Sequence, residues 1–184
     1  EEPKELCASC HTAEIAVGAS LKAGAAAHHP NKEMLAGYGA VGITATPGAH
    51  TEKASCVECH MTGANHMMKV VKPEDVAGTT QKDTCTTCHA NSTPESRGMY
   101  LNLWQTTINA KMKDIKYDMD IVDAALKTNP SALTGDLLSK YQAAKTNYSF
   151  VDADGSHGAH NFEYAMKILT QAQKDVAAAR KAIR

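Results

Sequence analysis

The sequence predicts a mostly α-helical protein in which a loop-rich N-terminal part is followed by three long helices. Two observations support this prediction. Up to about residue 92 the chain consists of short Gly- and Ala-rich segments, whereas from Thr93 onward apolar residues recur every three or four positions, as on one face of a helix. In addition, no run of residues has the alternation typical of a strand. We therefore expect two parts, a loop-rich part at residues 1–92 and a helical part at residues 93–184. Together they should pack as one compact unit.

The first long helix is predicted to begin after Ser92 or Thr93, either of which can act as its N-cap, with Pro94 in the first turn. It is predicted to end at "TNP" (Thr128–Pro130), because a residue that precedes proline disfavours the α conformation. At ~1.5 Å per residue its length would be roughly 50 Å. Its apolar face comprises Met99, Leu103, Ile108, Met112, Ile115, Met119, Val122 and Leu126.

The second helix is predicted from Ser131 to about Tyr148, and the third begins at Phe162. Between them we expect a loop, "VDADGSHGAHN" (Val151–Asn161), whose "DADG" resembles part of a calcium loop but lacks the third acidic position and the closing Glu. Apolar residues of the third helix alternate at spacings of three and four, which favours a coiled-coil seam. The seam would pack on the first long helix or on a second copy of the chain. Its members are Phe162, Ala165, Leu169, Ala172, Val176, Ala179 and Ile183.

The bulk composition excludes several classes of protein. The formal net charge is -1 and the pI is about 6.8, so we expect no nucleic-acid partner. No stretch of 18 apolar residues is present, so no membrane span is predicted. Only 5% of the residues are aromatic, and the core must therefore be filled by aliphatic side chains or by a non-protein group.

All six cysteines belong to one pentapeptide that occurs three times: "CASCH" (Cys7–His11), "CVECH" (Cys56–His60) and "CTTCH" (Cys85–His89). Disulfides, a zinc ribbon and redox dithiols are the alternatives for Cys-x-x-Cys pairs. None of these explains why a histidine follows the second cysteine each time.

Covalently bound haem c explains every element of the motif. The two thiols of a Cys-x-x-Cys pair form thioethers with the two vinyl groups of one haem, and the next residue provides the proximal imidazole. We therefore predict three haems, numbered haem 1 to haem 3 along the chain, which also fill the core. The attachment residues are Cys7, Cys10, Cys56, Cys59, Cys85 and Cys88, and the proximal ligands are His11, His60 and His89.

The second axial ligand of each iron decides the function. An iron with an open position can catalyse a reaction, whereas two strong protein ligands leave electron transfer. Eight methionines and six further histidines are available. The six histidines are His28, His29, His50, His66, His157 and His160.

The order of the motifs resembles a known family. Three segments are similar to the C-terminal half of ammonia-forming cytochrome c nitrite reductase, and related arrangements occur in octahaem tetrathionate reductase and hydroxylamine oxidoreductase. The resemblance covers roughly residues 28–170. Its segments are "GAHTEKASCVECHM" (Gly48–Met61), "NHMMKVVKPEDVAGTTQKDTCTTCH" (Asn65–His89) and "GAHNFEYAMKIL" (Gly158–Leu169).

This resemblance implies crossed distal ligands. His50 would bind haem 3, His66 would bind haem 1, and His160 would bind haem 2. His157 is the rival of His160. For His28 and His29 three readings remain: a solvent-facing loop, a ligand of haem 1 in place of His66, or a role outside the chain.

The catalytic features of the resembling family are missing. The sequence contains no Cys-x-x-Cys-Lys motif, and the family's paired Arg and Tyr have no match; only "HHP" (His28–Pro30) resembles its catalytic histidine before proline. We therefore expect no catalytic residue and no enzyme, but an electron-transfer trihaem cytochrome with bis-histidine irons in an anaerobic prokaryotic respiratory chain. The alternatives are a nitrite or hydroxylamine reductase, or a subunit of a larger, even polymeric, multihaem assembly.

Haem attachment of this kind is completed outside the cytoplasm, so a periplasmic or extracellular location is expected. The first residues, "EEPKEL", have neither the basic nor the apolar segment of a signal peptide, and we expect the signal to have been removed. The expected partners are redox proteins. We also expect the chain to self-associate through its C-terminal helices.

Overall fold

The computed structural model describes residues 3–62 and 67–183. These residues are mostly helical, as predicted, and within the described ranges the only β pairing is an isolated bridge between Ser20 and Gly39. The helices are α1 (Pro3–Ala8), α2 (Asn31–Ala36), α3 (Cys56–His60), α4 (Pro73–Val76), α5 (Pro94–Thr128), α6 (Gly135–Asp154) and α7 (Phe162–Ala182). Short 3₁₀ turns occur at Thr84–Thr87 and Pro130–Ala132.

Helix α5 has the predicted bounds. The Thr93 hydroxyl accepts the N–H of Ser96 at 3.2 Å and caps the helix. The predicted apolar face is buried from Ile108 to Val122, but Met99 and Leu103 are 62% and 58% exposed. The first turns of α5 therefore lie outside the core that the later turns form with α7.

Helix α6 differs from its prediction at both ends. It begins at Gly135 rather than Ser131, because Pro130–Ala132 forms a 3₁₀ turn. It ends at Asp154 rather than near Tyr148, where Gly155 adopts the left-handed conformation (φ 67°) that commonly closes a helix. Part of the predicted loop is thus the last turn of α6, and its Val151 is buried.

Helix α7 begins as predicted, with the Asn161 side chain accepting the N–H of Tyr164 at 3.0 Å. The predicted seam packs against α5 and α6 of the same chain. A second copy of the chain would therefore contact a different face of α7. The buried members of the seam are Ala165, Leu169, Ala172, Val176 and Ala179.

Hydrogen bonds join the N-terminal loops to the helical part. The side chain of Asn147 on α6 accepts the N–H of Val41 at 2.8 Å and donates to the carbonyl of the same residue at 3.0 Å. The buried Tyr164 hydroxyl on α7 accepts the N–H of Ala40 at 3.0 Å. These bonds hold the segment before the second Cys-x-x-Cys-His motif against the helices.

None of the helices in the described part of the chain has the length and apolar character that a membrane span requires.

Candidate haem sites

Each Cys-x-x-Cys-His motif forms one tight turn of backbone. In the first motif the N–H of His11 donates to the carbonyl of Cys7 at 3.0 Å, and in the third motif the N–H of His89 donates to that of Cys85 at 2.9 Å. The second motif forms the whole of α3. On such a turn, residues three positions apart lie on the same side, which suits the two thioethers of one haem, and the histidine that follows can serve as the proximal ligand.

Burial raises the pKa of the Cys85 thiol to about 11, and the Asp83 carboxylate adds to this shift. Burial also raises the pKa of Cys59. A reactive dithiol and a zinc thiolate site both need thiolates, which these environments disfavour. In the described part of the chain, no three His, Cys, Asp or Glu side chains converge in a way that could hold a metal ion.

Two proximal histidines, His60 and His89, lie opposite the histidines that the family resemblance predicts as their partners. The ring centroids of His60 and His160 are 6.4 Å apart, and those of His50 and His89 are 6.1 Å apart. Metal–imidazole bonds of about 2 Å, with roughly 1 Å more from each nitrogen to its ring centre, give a spacing of about 6 Å across one metal ion. Both pairs therefore leave room for one iron between their rings.

The third proximal histidine, His11, lies near His29. Their ring centroids are 5.7 Å apart, and the ring of His28 lies 4.1 Å from that of His29. His66, the predicted partner of the first motif, is outside the described residues.

A buried carboxylate orients His160. Asp154 Oδ1 lies 2.6 Å from His160 Nδ1, and the Asp154 side chain is 1% exposed. Since Nδ1 is occupied, Nε2 is the nitrogen left for a metal. By contrast, Nδ1 of the rival His157 is buried and has no hydrogen-bond partner among the described residues.

His50 is held in the form that binds metals. Burial lowers its pKa, and the neighbouring His89 lowers it further, so the imidazole is neutral at physiological pH. A neutral imidazole keeps the lone pair that a metal ligand must donate. Its backbone carbonyl accepts the N–H of Ala54 at 3.0 Å, in the turn that leads into α3.

A buried ion pair fixes the third motif. The Arg97 guanidinium on α5 donates to both carboxylate oxygens of Asp83 and to the carbonyl of His89 at 3.0 Å. Asp83 in turn accepts the N–H of Cys85 at 2.9 Å. The two charged side chains are 8% and 0% exposed. Sequence reasoning did not find this pair, because nothing local distinguishes Arg97 from any other helix arginine.

The three motifs lie next to each other in chain order. Helix α1 packs against α3, and α3 packs against the Thr84–Thr87 turn. The Thr84 hydroxyl lies 2.9 Å from that of Thr62 and donates to the carbonyl of Cys59 at 3.2 Å. The second motif therefore lies between the first and the third.

Cysteine pairs on single turns and facing histidine pairs at the spacing of one iron fit haem c, and together with the helical fold they define a multihaem c-type cytochrome. The chain matches the model of the cytochrome c552 family over residues 25–184 and belongs to this family. No curated protein matched the chain.

Two solved structures are similar over nearly the whole chain. The outer cell wall cytochrome OcwA superposes with a TM-score of 0.80 at 32% identity, covering 96% of this chain and 35% of its own. An undecaheme cytochrome from the S-layer of Carboxydothermus ferrireducens superposes with a TM-score of 0.72 at 25% identity, covering 97% of this chain and 28% of its own. The chain thus spans about a third of these larger cytochromes.

Proposed function

We propose that the chain carries three haems c, all with two histidine ligands, and transfers electrons along them. The single observation that supports this most strongly is that two proximal histidines lie opposite second histidines at about the spacing of one iron. His60 and His160 would bind the iron of haem 2, and His89 and His50 that of haem 3. The resemblance to nitrite reductase assigns His66 to haem 1. His66 lies outside the described part of the chain.

Haem c, when bound, supplies an iron that alternates between ferrous and ferric states and so carries one electron. The chain's own residues would hold both axial positions closed, which leaves no coordination site for a substrate. His160 reaches the second motif from the helical part, and His50 precedes α3 but faces the third motif. Such crossed ligands would join segments that are far apart in the sequence and hold the haems close to one another. Two imidazole ligands favour a lower potential than a His/Met pair, which suits an anaerobic respiratory chain better than a high-potential oxidase chain.

In this proposal residues 1–92 carry the haems, and residues 93–184 hold them in place and supply His160. Under the resemblance to nitrite reductase, these two parts would together correspond to its C-terminal half without the catalytic haem. The two similar structures are those of an outer cell wall cytochrome and of a cytochrome from an S-layer. They support an extracellular or periplasmic location, redox protein partners and membership of a larger multihaem assembly.

Intact mass and single-histidine variants of the holoprotein test the proposal. The denatured wild-type chain should retain three haem increments in its mass. His160→Ala and His50→Ala should each convert one low-spin iron of three to high-spin in the oxidised electron paramagnetic resonance (EPR) spectrum. A bare polypeptide mass, or unchanged spectra in both variants, would overturn it. An open iron already present in the wild type would instead favour the reductase alternative.

A further inference from the structure

We infer that His29, rather than His66, is the distal ligand of haem 1; this rests on the proposed function. The ring of His29 lies 5.7 Å from that of His11. This spacing is close to the 6.1 Å and 6.4 Å of the other two pairs. One haem iron between His11 and His29 would therefore give all three motifs the same arrangement.

Hydrogen bonds hold the segments of His11 and His29 together. The N–H of Lys32, in the first turn of α2, donates to the carbonyl of His11 at 3.0 Å. The fully buried Glu33 carboxylate accepts the Thr12 hydroxyl at 2.6 Å and the N–H of Ala13 at 3.1 Å. The residues that follow His11 are thus bound to the helix that follows His29, and the two rings face each other as a consequence of this local framework.

The backbone at His29 is held in an unusual conformation. Its φ is 45°, in the left-handed region that non-glycine residues adopt only with backbone strain. Residues on its C-terminal side fix this conformation: Pro30 is buried, and the Asn31 amide donates to the carbonyl of Asp154 at 2.8 Å. Since Asp154 also bonds His160, one carboxylate-bearing residue links the candidate distal ligands of haem 1 and haem 2.

The neighbouring His28 has a different place. The centroid of its ring lies 4.1 Å from that of the His29 ring, and His29 is the residue whose ring lies 5.7 Å from that of His11. We therefore assign the iron of haem 1 to His29 and not to His28. In the resembling family a histidine before proline is catalytic. Here His29, which precedes Pro30, would instead bind the iron of haem 1 and leave no site there for a substrate.

Three variants of the full-length holoprotein test this inference: His29→Gly, His66→Ala and His28→Ala. Glycine adopts the left-handed conformation without strain, so this substitution removes the imidazole and adds no backbone strain. In His29→Gly we expect one of three irons to become high-spin when oxidised and to bind carbon monoxide when reduced. Added free imidazole should restore the low-spin state. His66→Ala and His28→Ala should keep three low-spin irons.

A high-spin iron in His66→Ala, or three low-spin irons in His29→Gly without added imidazole, would overturn the assignment. His29→Ala provides a second measurement if the glycine variant yields little holoprotein, because it removes the same nitrogen. The wild-type spectrum separates this inference from the proposed function. If the wild type is low-spin at all irons and His29→Gly is unchanged, only the inference fails; a high-spin wild type refutes the proposed function itself.

Discussion

The carboxylate of Asp154 contacts Nδ1 of His160 at 2.6 Å from a position that is almost fully buried. The Ser156 hydroxyl donates to the same carboxylate, which keeps it in place. A carboxylate on the outer nitrogen makes an imidazole a more basic ligand. It therefore stabilises ferric iron over ferrous iron at the haem that His160 would bind.

Replacing Asp154 by Asn should raise the midpoint potential of one haem and leave its iron low-spin. The neutral amide donates less charge to the ring, so the ferric state loses stability. A tenfold change in the relative stability of the two states corresponds to about 59 mV for one electron. A potentiometric titration followed by absorbance measures the shift. The control is Asp152→Asn. Asp152 lies in the same turn of α6 but is exposed, so its replacement should leave all potentials unchanged.

Replacing Arg97 by Gln should destabilise the protein by about 3–5 kcal/mol, because it leaves the buried Asp83 carboxylate without its cation. The third motif should loosen first, since Arg97 also holds the carbonyl of His89. Denaturant unfolding followed by haem absorbance measures the effect. The matched control is Lys116→Gln, which removes an exposed pair with Asp120 and should leave the stability nearly unchanged. Equal effects of the two variants would contradict this account of the pair.

The contribution of Arg97 should depend on pH. Burial alone would raise the pKa of Asp83, but the hydrogen bonds and charge of Arg97 outweigh it, and the net shift is downward. A carboxyl whose pKa falls on folding stabilises the protein above its unfolded value of about 3.9 and loses this effect as pH falls through the folded value. In Arg97→Gln burial acts without the opposing effect of Arg97 and raises this pKa relative to the wild type, so the stability difference between wild type and variant should be largest near neutral pH and shrink steadily as the pH falls. A difference that grows in acid would contradict the assignment.

Gly37→Ala should be far more harmful than Gly78→Ala, although both glycines have a positive φ (76° and 74°). A Cβ on Gly37 would lie 2.0 Å from the carbonyl oxygen of Thr46, whereas at Gly78 no heavy atom lies within 4 Å. Gly78→Ala therefore carries only the backbone strain, about 1 kcal/mol. Gly37→Ala should lose more than about 3 kcal/mol and displace α2. Comparison of denaturant midpoints and haem incorporation checks this, and similar values for both would count against the described turn.

The sequence predicted those features that depend on local pattern. The bounds of α5 follow from Thr93, Pro94 and the proline at 130, and the start of α7 follows from the apolar pattern that begins at Phe162. The end of α6 was missed because "DADG" was interpreted as a loop, whereas the burial of Val151 against the core extends the helix to Gly155. Packing of this kind has no local signal.

The same distinction applies to the site. The attachment cysteines and proximal histidines form a contiguous motif, so their roles could be predicted from spacing. His50 and His160 could be paired only through family resemblance. The proximity of His29 to His11 depends on the bond from Lys32 and on the buried Glu33, which join residues about 20 positions apart. Asp154 was seen as part of a calcium-like fragment, and its contact with His160 requires the folded turn.

The spin state of the irons in the oxidised wild-type holoprotein tests the central claim most directly. EPR combined with near-infrared magnetic circular dichroism identifies both axial ligands of each low-spin ferric haem. We expect three low-spin irons, each with two histidine ligands, and no carbon monoxide binding by the reduced protein. A high-spin iron, or a methionine ligand at any haem, would contradict it.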